Sequence, residues 1–150
     1  DFPQERQFAA VDREGRSAFF NGPEIECINA GYTGFQCVST GNFIANADVP
    51  RRMVEAYEAN LELPFAERLL SAVDAGLAAG GETKPIMSSA LVIADRNTWP
   101  LVDLRIDWRE NPLTELRALW EFYKPHQERF VKQVLTPGAL ALLQDSPMNV

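Results

Sequence analysis

Apolar and polar positions alternate most strictly in Leu101-Val102-Asp103-Leu104-Arg105-Ile106-Asp107. Val102, Leu104, Ile106 and Trp108 fall on one side of this run, and Asp103, Arg105 and Asp107 on the other. Side chains alternate across a strand, so the pattern predicts one apolar face and one charged face. Upstream, Ser88-Ser89-Ala90-Leu91-Val92-Ile93-Ala94 is nearly all apolar and predicts a central strand covered on both sides. Asp95, Arg96, Asn97, Thr98, Trp99 and Pro100 separate the two runs with turn formers, so the pair reads as a β-hairpin. Leu91, Ile93, Leu104 and Ile106 are its expected core.

The rest of the chain follows the same two periods. Arg6 to Val11 and Arg16 to Phe20 flank Asp12-Arg13-Glu14-Gly15, a second hairpin whose turn closes on glycine. Ile25 to Ala30 is expected to extend before Gly31, and Phe35 to Ser39 to form a short strand that breaks at Gly41-Asn42. Asp48 and Pro50 then open a helix carrying Met53, Val54, Tyr57 and Leu61. Pro64 opens another, with Phe65, Leu69, Leu70, Val73 and Leu77 as one stripe and Gly80-Gly81 as its stop. Asn111-Pro112 starts a third helix, and Pro125 interrupts before a short helix from Gln127 to Leu135. Beyond Thr136-Pro137-Gly138 only Leu140, Leu142 and Leu143 hint at a pattern. Strands neighbour one another as hairpins rather than alternating singly with helices, which argues for α+β with antiparallel sheet.

Composition narrows the functional classes. A net charge of −7 disfavours nucleic acid and anionic membranes as partners, because both need a basic footprint. No apolar run is long enough to span a bilayer, and no charged-then-apolar secretory segment opens the sequence. A cytoplasmic protein is the expectation. Cys27 and Cys37 fit no zinc spacing, and His126 is the single histidine, so no metal and no cofactor is expected. The spacing leaves a Cys27–Cys37 disulfide open; free, buried thiols in a reducing compartment are favoured.

The usual catalytic constellations are absent: no glycine-rich phosphate loop, no Gly-x-Ser-x-Gly elbow, no His-Glu-x-x-His. His126 reads as a surface histidine. Cys27 could be a nucleophile, but Glu24 and Glu26 beside it would raise its pKa, which favours a buried structural thiol. Gly41-Asn42 either makes a turn or aims a carboxamide into an oxyanion hole, and sequence alone favours the turn. The row Asp103, Arg105, Asp107 either binds a small charged molecule or is a solvated face of self-pairing charges, and spacing favours the second.

A resemblance adds to this. Arg6-Gln7 before a strand, Cys27 before a Gly31 loop, Gly41-Asn42, Leu69-Leu70 in a helix ending Ala78-Ala79-Gly80-Gly81, Ser88-Ser89-Ala90-Leu91, Val102 to Asp107, Pro112 and Glu115-Leu116-Arg117 occur in the order of one family. The chain resembles the uncharacterised N-terminal-nucleophile (Ntn) hydrolase-like family known as domain of unknown function 1028. The resemblance implies an αββα sandwich of antiparallel sheets over residues 1–124, incomplete at the N-terminus, with residues 125–150 as a C-terminal helix and tail. It implies hydrolysis of an amide-type bond in a small molecule. The Thr or Ser nucleophile is expected in a segment ahead of Asp1, which itself carries neither hydroxyl nor thiol. Asn42 would stabilise the oxyanion, and Asp103 with Arg105 would orient substrate or the α-amino base. Gly41, Ser88 and Asp107 would contact substrate. One departure is Trp108-Arg109, where the family often places a histidine after this strand. The alternative is a non-catalytic small-ligand-binding or assembly module on the same fold. The expected partners are a small-molecule substrate and further copies of the chain, since missing strands would leave an edge along Gln7–Val11 or Ser88–Ala94 unpaired and apolar surface near Phe19, Phe20 and Phe35 uncovered.

Overall fold

Turn chemistry builds the first hairpin. In the computed structural model, which describes residues 2–138, the Asp12 carboxylate accepts hydrogen bonds from the backbone N–H groups of Glu14 and Arg16 at 3.0 and 2.9 Å. Gly15 adopts φ +80° beside it, a conformation that suits glycine. The turn joins β1 (Gln7–Val11) to β2 (Ser17–Asn21) in antiparallel register from Gln7↔Asn21 to Val11↔Ser17. The architecture is α+β, with small antiparallel sheets of two strands each. The described residues fall into two compact units that divide between Ile86 and Met87. Leu140, Leu142 and Leu143 lie outside the described residues.

In the first unit, β3 (Asn29–Gly34) and β4 (Cys37–Asn42) form a second hairpin, paired from Asn29↔Asn42 to Gly34↔Cys37. It packs against the first. The Phe19 ring lies so close over Gly31 that a Cβ there would sit 2.4 Å from it, so only glycine fits. Gln7 Nε2 donates to the Gly41 carbonyl at 3.1 Å and Ser17 Oγ to the Gly34 carbonyl at 3.3 Å. With Gln7, Ser17 and Phe19 turned to β3–β4, alternation sends Phe8, Ala10, Ala18 and Phe20 to the opposite face, where all four are exposed.

Helix α1 (Val49–Ala59) packs on β3–β4, and α2 (Phe65–Ala78) on α1. Asp48 stands at the cap position of α1 but makes no cap bond; its carboxylate pairs with Arg51 at 3.0 Å instead. Val49, Pro50, Val54 and Tyr57 are the buried face. Leu61 lies past the end of α1 and is exposed. In α2 the buried residues are Ala66, Leu70, Ala72 and Gly76, whereas Phe65 and Leu77 of the expected stripe are exposed. Close approach to α1 selects small residues: a Cβ at Gly76 would come within 2.8 Å of Met53.

Three strand expectations shift in this unit. The second hairpin begins at Asn29 rather than Ile25, takes Gly31 into β3, and extends through Gly41 and Asn42. Around this hairpin the left-handed positions fall on Gln36 in the turn (φ 56°) and on Phe43 after β4 (φ 54°), so the chain breaks here at residues that sequence preference does not mark. Cys27 and Cys37 are free and half-buried, not fully buried.

In the second unit, β5 (Ser89–Ile93) pairs antiparallel with β6 (Val102–Ile106), from Ser89↔Ile106 to Ile93↔Val102. Leu91, Ile93, Val102 and Leu104 are buried and Ile106 is half-buried. This is the expected inner face. Two readings change. Val92 is 56% exposed, so β5 is covered on one face only among the described residues; an apolar run alone does not count faces. Trp108 lies beyond the strand and is 71% exposed. Helix α3 (Pro112–Tyr123) covers the inner face with Leu116 and Trp120. A 3-10 turn, Lys124–His126, leads to α4 (Gln127–Leu135). His126 is half-buried there, its ring 5.5 Å from Phe122 and 6.0 Å from Phe130.

Candidate functional site

The outer face of β5–β6 carries the charged row. Because Ala90 pairs with Arg105 and Val92 with Asp103, two apolar side chains alternate with two charged ones across the ladder. Asp107 follows the end of β6 and Ser88 precedes β5 at the same end of the hairpin. Arg105 donates to Asp107 Oδ1 at 2.8 Å. That hydrogen bond, reinforced by the charge of Asp107 and at longer range by Asp103, holds the guanidinium above its already high ordinary pKa. Both side chains stay largely exposed, at 65% for Arg105 and 77% for Asp107, so the pair fixes orientation more than it adds stability.

Ser88, Ser89, Ala90, Val92, Asp103, Arg105, Ile106 and Asp107 together line an open concavity of about 460 Å³. The recess is shallow and open, its charged side chains stay largely solvated, and four of the sequence-predicted residues (Ser88, Asp103, Arg105 and Asp107) border it. Ser89 is turned away from chemistry: its hydroxyl donates to the Pro112 carbonyl at 2.9 Å and ties β5 to the start of α3. Sequence reasoning missed Ala90 and Val92 as a floor, because an apolar strand reads as core. Their register opposite Arg105 and Asp103 is what reveals them.

Gly41 and Asn42 belong to the first unit, at the end of β4. Gln7 begins β1, Asn21 ends β2, Asn29 begins β3 and Asn42 ends β4, so the two registers bring four carboxamides to one end of the paired hairpins. Gln7 donates to Asn21 at 2.9 Å and to the Gly41 carbonyl, and Asn29 donates to the Cys27 carbonyl at 3.0 Å. Asn42 is exposed beside them. The Phe43 N–H points to Cys27 Sγ at 3.3 Å. Gln7, Asn21 and Asn29 were not read from sequence; polar residues closing otherwise apolar strands were the available signal.

Burial, with Glu58 nearby, pushes the Cys37 thiol up, which leaves it protonated and poorly nucleophilic. Among the described residues, no group of three or more His, Cys, Asp or Glu is placed to hold a metal. Among them also, no helix is long and apolar enough to cross a membrane.

Comparison with known proteins places this geometry in context. Residues 1–116 match the Family of unknown function (DUF1028). The crystal structure of protein SPO2555 from Silicibacter pomeroyi, of the same family, is similar at 33% sequence identity with a TM-score of 0.69. The similarity covers 79% of this chain and 52% of that one, so the chain spans about half the length of the Silicibacter protein. Among curated proteins nothing matches the sequence.

Proposed function

The chain belongs to the DUF1028 family, and from that premise we propose that it is part of an Ntn-type hydrolase acting on an amide-type bond in a small molecule. The supporting observation is the recess of β5–β6, where Asp103, Arg105, Asp107 and Ser88 converge on one open face. On this reading the fold is an αββα sandwich. The nucleophile is a terminal Thr or Ser whose own α-amino group serves as base, supplied by polypeptide outside this sequence. Arg105, held by Asp107, binds an oxygen of the substrate, and Asp103 orients an ammonium, either the substrate's or the base's. A small-molecule substrate and a cytoplasmic setting go with this proposal.

The alternative, an assembly module without catalysis, is favoured by one observation: Phe8, Ala10, Ala18 and Phe20 form an outward sheet face without a polar residue. The experiment compares release of amine from a panel of small amides by this chain and by the Silicibacter protein. Turnover by the Silicibacter protein that drops at least about tenfold when the residues aligned with Asp103 and Arg105 are neutralised supports the hydrolase. A Silicibacter protein inert across the panel, in a preparation shown to be folded, overturns it.

A further inference from the structure

The charges on the outer face of β5–β6 have a definite spacing, and that spacing selects a ligand. Asp103 and Arg105 lie two residues apart on one face of a strand. Two residues of strand span about 6–7 Å. The guanidinium has five N–H donors, and the structure commits one nitrogen of it to Asp107, so donors remain for a ligand oxygen. Among the described residues Asp103 acts on Arg105 through its charge and not through a hydrogen bond, so its carboxylate oxygens are open to a donor there. Ala90 and Val92 lie across the ladder from these two groups and give an uncharged floor between them.

A ligand that satisfies all three features carries an ammonium for Asp103, a carboxylate for Arg105 and a neutral link over Ala90 and Val92. An α-amino acid fails, because its two charges sit on one carbon. A two-residue peptide fits, since each extended residue spans about 3.3–3.6 Å. Its single amide bond then lies over the floor, between the two anchored ends. The overall charge of −7 opposes a simple anion, whereas a zwitterion has no net charge to repel. We propose that this face is a binding subsite for short zwitterions of dipeptide length. Asp103 and Arg105 are the groups that contact the ligand, and Asp107 is a positioning residue that holds the guanidinium. The proposal rests on reading the recess as substrate-facing, and it narrows the substrate to amides flanked by an ammonium and a carboxylate.

The test is a two-dimensional ¹H–¹⁵N NMR titration of the whole chain with alanyl-alanine up to ~20 mM, a range that captures the weak binding expected of an open recess. Saturable shifts are expected at Ala90, Val92, Asp103, Arg105 and Asp107. Alanine, N-acetyl-alanyl-alanine and alanyl-alaninamide should bind at least about tenfold more weakly. Asp103→Asn should abolish the preference for a free ammonium, and Arg105→Gln the preference for a free carboxylate. Both positions are exposed, so the fold tolerates the changes, which the undisturbed remainder of the spectrum verifies. Absence of shifts on β5–β6, or equal shifts with the acetylated dipeptide, would overturn the proposal. Binding is read here without turnover, so a negative titration removes the zwitterion subsite and leaves the hydrolase reading to its own assay.

Discussion

Leu104→Ala probes the frame on which the charged row stands. Leu104 is 7% exposed, faces Leu91 across the β5–β6 ladder and lies on the side covered by α3. The change removes three carbons, about 2.4 kcal/mol of transfer free energy at ~0.8 kcal/mol per CH₂. The cavity left behind adds to this, and buried Leu→Ala changes cost about 2–5 kcal/mol in all. Leu104 is nearly fully enclosed, so a loss of about 3 kcal/mol is expected. Val92→Ala is the matched control: on the opposite face and 56% exposed, it should cost no more than ~0.5 kcal/mol. Urea unfolding followed by fluorescence reads both, with Trp120 of α3 buried on the side that Leu104 supports. The m value should stay constant. A one-residue slip in register would exchange the two faces of β6. Loss of less than about 1 kcal/mol at Leu104 would therefore show that the charged row of β6 points inward, against its assignment to the open face.

Tyr123 Oη donates to the Leu101 carbonyl at 2.7 Å, so Tyr123→Phe should cost about 1 kcal/mol by orphaning that acceptor; an unchanged urea midpoint would mean the bond contributes nothing. Hydrogen bonding from Arg16, side chain first and then backbone, holds the Asp12 carboxyl below its ordinary 3.8, so its contribution is present above that value and lost as pH falls through the lower folded one. The melting temperature of the protein should accordingly fall less with acid in Asp12→Ala than in the parent across this window, and parallel curves would contradict the role given to this turn. The exposed face of Phe8, Ala10, Ala18 and Phe20 should drive self-association at micromolar concentration, reduced by Phe8→Asp with Phe20→Asp; sedimentation of the parent as a monomer would show that the face needs no cover. The chain alone should not hydrolyse amides, and turnover abolished by Cys27→Ala would instead identify a cysteine enzyme.

Local chemistry made much of the fold legible. Strict alternation in Val102 to Ile106 and the Asp12–Gly15 turn located two hairpins, and proline at 112 and 125 placed α3 and the start of α4. What stayed hidden depended on tertiary partners. Gly41 and Asn42 look like a break, yet pairing with Ala30 and Asn29 carries the strand through them, and Phe43 takes the left-handed turn. Leucine and phenylalanine mark α2 by their size, yet contact with α1 buries Ala66, Ala72 and Gly76. For the site, sequence showed that Asp103, Arg105 and Asp107 share a face. It did not show the recess, because that depends on Val92 facing outward, which an apolar run conceals.

The central claim is that the charged face of β5–β6 receives substrate, and crystallography of the chain grown with alanyl-alanine at ~20 mM tests it most directly. The account predicts a dipeptide lying over Ala90 and Val92, its ammonium on Asp103 and its carboxylate on Arg105. A dipeptide bound on another face, or a bare β5–β6 recess free of lattice contacts under those conditions, would contradict it.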